Sequence, residues 1–175
     1  MRTTLLLALG LLLNGCGIAI RAGADYRPGT SLETYRTFGW GPADDMPTGD
    51  ARLDNNTFFH ERIKQAIAEE MTRRGFTYSE RAPDLLLHYH ASVRERVDVY
   101  AADEELGYSS EYGRGTQVVQ YDEGTLLVDI ARADGMHIIW RGWAQGDLGS
   151  VIDDPEALQE QIRESVRLMF DRLPT

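Results

Sequence analysis

Two stretches of the chain repeat apolar residues at the spacing of an amphipathic helix. The first covers about 57–74, and Gly75 is expected to end it in a left-handed conformation. The second covers about 155–173 near the end of the chain. The residues expected to cap these helices are Asn55 or Asn56 for the first and Asp154 for the second. The predicted apolar faces are Phe59, Ile63, Ala66, Ile67 and Met71, and Leu158, Ile162, Val166, Met169 and Leu173.

Other stretches alternate apolar and polar residues with a period of two, which predicts strands with one buried face. The longest strand is predicted over 84–100, and a second returns over 117–132 with a bulge expected at Gly124. Shorter strands are predicted over 37–40 and, at an edge of the sheet, over 76–79. The apolar set of the longest strand is Leu85, Leu87, Tyr89, Ala91 and Val93.

The turn at 133–135 joins the second long strand to a further strand, and its length fixes which residues face each other. A two-residue loop would put Asp129 opposite Trp140, so that a polar and an apolar side chain share one face. A three-residue loop with Gly135 left-handed gathers the apolar residues on one side, and this register is the prediction. The expected pairs are Ile130 with Ile138, Val128 with Trp140, and Leu126 with Gly142.

Two amphipathic helices and several strands with one apolar face each can all bury those faces when both helices pack on one side of the sheet. The predicted fold class is therefore α+β, an antiparallel sheet with two helices on one face, as a two-layer sandwich. This single domain is expected to occupy 36–175. About 160 residues are enough to bury an apolar core without disulfides.

The start of the chain has the composition of a secretory signal peptide, with Arg2 followed by a short apolar run. The sequence Leu13-Asn14-Gly15-Cys16 at its end resembles a bacterial lipobox, which implies cleavage after Gly15 and lipidation of Cys16. Residues 1–15 are therefore predicted to be a signal peptide. Residues 16–35 contain several glycines and lack apolar periodicity, so they are predicted to be a lipidated, flexible tether.

The net charge of −10 bears on the class of partner. An acidic surface argues against binding to nucleic acid and against electrostatic attraction to anionic lipid. Cys16 is the one cysteine, so no disulfide is expected within the chain once it is lipidated. The expected membrane contact is through the N-terminal lipid alone.

A His-x-His pair on the longest strand is the sharpest candidate for a binding site. His88 and His90 are two residues apart, so both lie on the face of the sheet that the helices do not cover. Imidazole is a common zinc ligand, and Asp129 and His137 are predicted on the same face of neighbouring strands. A metal held by His88, His90 and Asp129 is one interpretation, and exposed polar residues on a solvated face are the other. No other cofactor is expected.

The same face carries more apolar residues than a solvated sheet face requires, among them Leu127, Ile139 and Trp143. One interpretation is a contact surface for an envelope protein or for a second copy of the chain. The other is that the acidic, tyrosine-containing loop over 101–115, which is expected to be mobile, folds across this face. Both interpretations stay open at this point.

Motifs for catalysis are missing from the sequence. There is no Gly-x-Ser-x-Gly, no His-Glu-x-x-His and no phosphate-binding glycine loop after a strand. A nucleophile also needs a base and a group that orients the base. The sequence therefore predicts no catalytic residues and favours a non-enzymatic protein.

Several short motifs occur in an order that resembles a known bacterial lipoprotein family, the one catalogued as domain of unknown function 4136. These motifs are Tyr35-Arg36-Thr37-Phe38-Gly39-Trp40, Arg73-Arg74-Gly75-Phe76, Pro83-Asp84-Leu85-Leu86, Gly124-Thr125-Leu126-Leu127-Val128-Asp129 and Trp140-Arg141-Gly142. The resemblance implies a small periplasm-facing lipoprotein and supplies no activity and no catalytic residues. Lipoproteins with Asp after the lipidated cysteine stay at the inner membrane, and Gly17 here implies the outer membrane.

Together these patterns predict a lipid-anchored, periplasm-facing outer-membrane lipoprotein with a structural or interaction role in the cell envelope. The alternative is a periplasmic protein that binds a metal or small ligand through the His-x-His face.

Overall fold

A computed structural model describes residues 19–42, 46–101, 116–135 and 137–174, without the side chains of 98–101, 116–119 and 150. The signal peptide, Cys16 and residues 102–115 of the predicted loop lie outside these ranges. The strands are β1 Arg21–Tyr26, β2 Thr37–Trp40, β3 Thr77–Tyr78, β4 Leu85–Ala101, β5 Thr116–Arg132 and β6 Ile138–Asp147. The helices are α1 Thr57–Arg73 and α2 Pro155–Phe170, and a short 3-10 helix Gly149–Asp153 precedes α2.

The six strands form one sheet in the order β1-β6-β5-β4-β2-β3. The predicted α+β class is confirmed, but the sheet is mixed because β2 pairs in parallel with both β3 and β4. The reason is that α1 connects β2 to β3, and a helical crossover returns the chain in its original direction. The remaining pairs are antiparallel.

The two helices begin where the sequence predicts. The side chain of Asn56 accepts from the backbone N–H of Phe59 at 3.1 Å, and Asp154 accepts from two N–H groups at the start of α2. Gly75 follows α1 with φ +90°, as a left-handed terminator requires. The second helix ends at Phe170, three residues before its predicted end at Leu173.

The core lies between the helices and one face of the sheet. Its buried residues include the whole predicted apolar face of α1 and the predicted face of α2 up to Met169. Inward-facing residues of four strands complete it. Trp140 on β6 and Phe170 on α2 pack edge to face with ring centroids 5.3 Å apart, and both are buried. The opposite face of the sheet, called the outer face below, is not covered by either helix.

The predicted tether over 16–35 is wrong for residues 21–26, which form β1 against β6. Arg21 pairs with Gln145 and Tyr26 with Trp140. Leu32 is also buried in the core. The alternating pattern was missed because Ala22, Gly23 and Ala24 have small side chains, which give almost no hydropathy signal.

The register between β5 and β6 also differs from the prediction. Ile130 lies opposite Trp140 and Val128 opposite Gly142, a shift of two residues. A slip of two keeps each side chain of β6 from Trp140 onward on its expected face, whereas Ile138 and Ile139 exchange faces at the register shift. Gly135 does not have a positive φ. The slip of two is divided between the turn, where the N–H of Arg132 donates to the carbonyl of His137, and the extra residue Ile139 at the register shift between Ile130 and Ala131.

The bulge expected at Gly124 is absent from the ladders, where Gly124 pairs with Val93 on one side and Gly146 on the other. A Cβ at Gly124 would lie 2.7 Å from Cδ1 of Leu148. The glycine is therefore needed for the close approach of a buried leucine, and the strand is regular there.

Within the described residues, no helix is both long enough and apolar enough to cross a lipid bilayer.

Candidate functional site

The predicted site residues His88, His90, Asp129, Leu127 and Trp143 come together on the outer face, and all five are half-buried. The pairing of β4, β5 and β6 accounts for this. His88 lies opposite Asp129 and His90 opposite Leu127, and on the other side of β5 Leu127 lies opposite Trp143. The outer face therefore has a polar part around Asp129 and an apolar part around Leu127.

Asp129 is held by a cross-strand arginine. Arg141 donates from Nε and Nη2 to the two carboxylate oxygens of Asp129, each at 2.6 Å. This bidentate hydrogen bonding raises the pKa of Arg141 above its ordinary value. Both carboxylate oxygens of Asp129 thus accept from the guanidinium, which would compete with a metal ion for these atoms.

Among the described residues, the two histidines do not form a cluster with further metal ligands. The imidazole of His88 lies over the backbone of Gly41, where an added Cβ would be 1.9 Å from its Cε1 atom. His137 is exposed in the turn before β6. In the described part of the chain, no group of three or more His, Cys, Asp or Glu residues is arranged to hold a metal ion. The predicted set of His88, His90 and Asp129 is therefore not assembled as a metal site.

The apolar part of the outer face is centred on Trp143. Its indole lies flat across Gly23 of β1, since a Cβ at Gly23 would be 2.4 Å from Cζ2 of the ring. A glycine beneath an aromatic ring on a neighbouring strand is a known way to shield backbone in a sheet. Leu127 lies directly opposite Trp143 on β5.

Ile139 does not belong to this surface as predicted. The register shift between Ile130 and Ala131 leaves Ile139 without a partner in the ladder and pairs Ile138 with Ala131. Ile139 is half-buried and packs against the core, whereas Ile138 is 49% exposed. Ile138 lines a groove of about 590 Å³ together with His88, His90, Leu127 and Asp129.

A cleft that the sequence reasoning missed lies beside the end of β2. It has a volume of about 580 Å³ and includes Trp40, Tyr89, His60 and Lys64 in its lining. The Trp40 and Tyr89 rings meet edge to face at 6.2 Å, and the ammonium of Lys64 lies 5.6 Å from the centroid of Trp40. Nδ1 of His60 is 3.0 Å from the hydroxyl of Tyr89.

The cleft exists because β2 is short. Its last residue, Trp40, pairs with Leu87, and the chain then leaves the edge of β4. It returns at Thr48, whose carbonyl accepts from the N–H of Val93 at 2.7 Å. The side chain of Asp54 fixes this return by accepting from both the N–H and the hydroxyl of Thr48. The Gly41-Pro42 break after an aromatic strand end was the signal for it in the sequence.

Aromatic walls with one ammonium group suit a ring-bearing ligand with a negative charge. The groove and the cleft share His88 and Tyr89, which lie on adjacent positions of β4 and face opposite sides of the sheet. Among the described residues, neither surface places a nucleophile beside a base and its orienting group.

Comparison with known proteins places this fold in context. A family profile described as "Domain of unknown function (DUF4136)" matches residues 23–175. No curated protein matches the chain. Among solved structures, a PDZ domain protein from Parabacteroides distasonis is similar with a TM-score of 0.51 and 14% identity, over 87% of this chain and 36% of that one. The chain thus spans just over a third of that protein's length.

Two further structures are more distant. A PelC dodecamer from Paraburkholderia phytofirmans has a TM-score of 0.45 and 9% identity, over 90% of this chain and 100% of that one. A putative neuraminyllactose-binding hemagglutinin homolog from Helicobacter pylori has a TM-score of 0.46 and 12% identity, over 83% of this chain and 86% of that one. At these identities the likeness concerns the fold alone.

Proposed function

The chain belongs to the family described as a domain of unknown function, DUF4136, and we propose that it is a lipid-anchored, periplasm-facing outer-membrane protein with a non-enzymatic binding role in the cell envelope. In this proposal Cys16 carries the lipid and the outer face of the sheet makes the contact. The observation that carries the binding role is that neither α1 nor α2 covers the outer face, on which Trp143 and Leu127 lie side by side.

The lipid anchor is supported by the apolar run that ends at Leu13-Asn14-Gly15-Cys16. Stable membrane attachment takes two acyl chains or equivalent signals, and a diacylated cysteine supplies them in one residue. The test compares the natural chain with Cys16→Ser in bacteria fed a labelled fatty acid. We expect label and membrane sedimentation for the natural chain and neither for the variant. Identical processing and sedimentation of the two proteins would contradict the anchor.

The binding role of the outer face is tested by Trp143→Ala. Trp143 is half-buried, so its removal leaves the core intact while taking the largest apolar group from the surface. We expect lower yield of crosslinked partner in intact cells, or a lower apparent mass if the partner is a second copy. The matched control is Phe58→Ala, because Phe58 is 70% exposed on α1, away from the outer face. Equal yields and masses in the natural chain and both variants would contradict the role.

A second candidate is the binding of a small ligand in the cleft at Trp40. The enclosure between aromatic walls and the ammonium of Lys64 favours it. Native mass spectrometry of protein purified from envelopes should then show a bound small molecule that Trp40→Ala loses. Stoichiometric zinc that His88→Ala removes would instead favour a metal site.

A further inference from the structure

The two edges of the sheet differ in length. At one edge β3 has two residues, whereas β1 at the other edge has six and pairs with β6 along its whole length without a register shift. Edge strands are commonly protected by shortness, by a bulge, by Pro or by charged side chains. Of these, β1 has only charged side chains, and its two charges, Arg21 and Asp25, are of opposite sign.

A hydrogen bond at the end of β6 fixes which backbone groups point toward β1. The N–H of Leu148 donates to the carbonyl of Asp122 at 2.8 Å, next to the opposed residues Glu123 and Asp147. In an antiparallel ladder this bond makes Glu123 and Asp147 a non-hydrogen-bonded pair. Asp147 and every second residue before it therefore direct their backbone N–H and C=O groups away from β5 and toward β1.

The same alternation leaves backbone groups of β1 unpaired. Arg21, Gly23 and Asp25 lie opposite those residues of β6, so their N–H and C=O groups point into the sheet. The N–H and C=O groups of the residues that alternate with them point to the free edge, where no described residue pairs with them. These residues are Ala22, Ala24 and Tyr26.

We propose that β1 is the interface of a symmetric dimer, in which β1 of a second copy of this chain pairs with it antiparallel about a twofold axis at Gly23. Ala22 then lies opposite Ala24 of the second copy, and each such pair exchanges two N–H···O bonds. An interface of this kind uses the same patch on both copies. The proposal goes beyond the contact of the outer face and does not depend on the lipid anchor.

The charges of β1 are complementary in this register. Arg21 lies opposite Asp25 of the second copy, on the outer face of both, and opposite charges at such cross-strand positions are stabilising. The side chain of Arg21 is 65% exposed and gives one N–H, on Nη2, to Glu123, so its guanidinium has further donors. Asp25 is exposed and lies opposite Arg141 of its own chain. No two like charges of β1 lie opposite each other.

Other positions of the axis are less favourable. Opposite residues must both direct their backbone groups toward the shared edge or both away from it, so the axis passes through a residue. An axis at Ala24 places Asp25 opposite Gly23 of the second copy, where the indole of Trp143 lies flat. A carboxylate there loses water without gaining an opposite charge. An axis at Ala22 leaves Asp25 without a partner in β1.

The helix layer leaves room for the second copy. The helix α2 lies over β6 and β1, and strands in a sheet are about 4.8 Å apart, so the two copies of α2 would lie about 10 Å apart. Packed helices are separated by about 8–10 Å. Nε2 of Gln161 lies 2.9 Å from a Cβ position at Gly146, so this flank of α2 faces β6 and the free edge. Leu168 is half-buried two turns later on the same flank and would be covered by the second copy.

The bonds at the free edge are tested by Ala24→Pro in the full chain purified in detergent. The substitution removes an N–H that points to the second copy, whereas the ladder with β6 keeps its bonds. Tyr78→Pro is the matched control at the other edge, because the N–H groups of Thr77 and Ser79 point to β2 and that of Tyr78 points away from it. Native mass spectrometry should show dimers of the natural chain and of Tyr78→Pro. For Ala24→Pro we expect a dimer dissociation constant at least about tenfold higher.

A disulfide tests the register and does not require Ala24→Pro to fold. Positions 21 and 25 of the two copies form a non-hydrogen-bonded pair, with Cα atoms about 4.5 Å apart and within reach of a disulfide. The two copies of position 21 are about 14 Å apart, as are those of position 25, which is too far. We therefore expect a disulfide-linked dimer of Arg21→Cys/Asp25→Cys under mild oxidation. Each single substitution, and the natural chain with Cys16 as its one cysteine, should give at most about a tenth as much.

Several outcomes would overturn the dimer. One is a natural chain that stays monomeric at micromolar concentration, and another is a dimer that Ala24→Pro and Tyr78→Pro weaken equally. Equal disulfide formation by Arg21→Cys alone would show that the strands do not pair antiparallel at Gly23. Linkage of the introduced cysteines to an envelope protein in place of a second copy would assign the free edge of β1 to that protein.

Discussion

Two tryptophans on β6 use the same local arrangement on opposite faces of the sheet. The indole of Trp140 lies across Gly142 of its own strand, and that of Trp143 lies across Gly23 of β1. In both places a Cβ on the glycine would be within 2.4 Å of the ring. Trp140 is fully buried against Phe170, whereas Trp143 is half-buried and is covered by neither α1 nor α2.

The difference shows that coverage by a second layer, and not the local contact, separates a core residue from a candidate contact residue. The core face is closed by α1 and α2, and Trp140 packs edge to face against Phe170 of α2. On the outer face Trp143 makes the same aromatic-on-glycine contact but is half-buried, and neither α1 nor α2 covers it. Substitutions on the two faces should therefore differ in stability and in function.

The largest effect is expected from Trp140→Ala. Removing a fully buried indole loses its transfer free energy and leaves a cavity that the helices cannot fill, at a cost of about 3–5 kcal/mol. Chemical denaturation measures this. Trp140→Phe is the control, because it keeps a ring against Phe170 and removes an indole N–H that has no hydrogen-bond partner among the described residues. A loss below about 1 kcal/mol in Trp140→Ala would contradict the closed core.

A smaller effect is expected from adding one methyl group to each glycine. Gly142→Ala overpacks a site where the ring of Trp140 cannot move, which typically costs about 1–3 kcal/mol. Gly23→Ala displaces the ring of Trp143, which can rotate into solvent, so we expect a change within about 0.5 kcal/mol. The comparison is made by urea unfolding of both variants. Equal losses would mean that Trp143 is as confined as Trp140.

The sequence predicted the parts of this arrangement that depend on periodicity. The helix caps at Asn56 and Asp154 and the inward set of β4 follow from local rules, and the structure has them. The faces of β5, and of β6 from Trp140 onward, also followed, because a slip of two residues leaves each side chain on its face. The rejected two-residue loop would have moved every one of them.

Other parts could not be read from the sequence because they depend on distant pairing. The small residues Ala22, Gly23 and Ala24 form a strand only because β6 offers them an edge. The bond between Asp129 and Arg141 needs the register that places them opposite each other. Gly41-Pro42 marks the end of β2, but the cleft at Trp40 also needs the return of the chain to β4 at Thr48, which no local pattern encodes.

A still smaller effect is expected from Arg141→Ala on the outer face. Arg141 is about half exposed, and exposed ion pairs contribute roughly 0–1 kcal/mol because water screens them. We expect a loss within that range by thermal or urea unfolding. Asp129→Ala should give the same small change, since either substitution breaks the pair. A loss above about 2 kcal/mol for Arg141→Ala would show that this part of the outer face is covered.

The smallest effect is expected from a residue outside the two faces. Its pH dependence shows the pH range in which variants of the two faces should be compared. Asp84, before β4, accepts from the backbone N–H groups of Arg36 at 2.8 Å and Thr37 at 2.9 Å. These bonds hold the pKa of Asp84 below its ordinary value of 3.8. Because the folded pKa is depressed, the stabilisation is fully present above pH 3.8 and is lost as the pH falls below it.

The expected result is a free energy of unfolding whose Asp84 contribution is constant near neutral pH and declines in acid. Asp84→Asn should be slightly less stable than the natural chain at pH 7, and the difference should vanish toward the depressed pKa. This difference is measured by urea unfolding of both proteins from about pH 2.5 to about pH 7, in steps of about half a pH unit. A difference that grows in acid would mean that the neutral carboxyl is the favoured form, and would contradict the two N–H bonds as the anchor of β2.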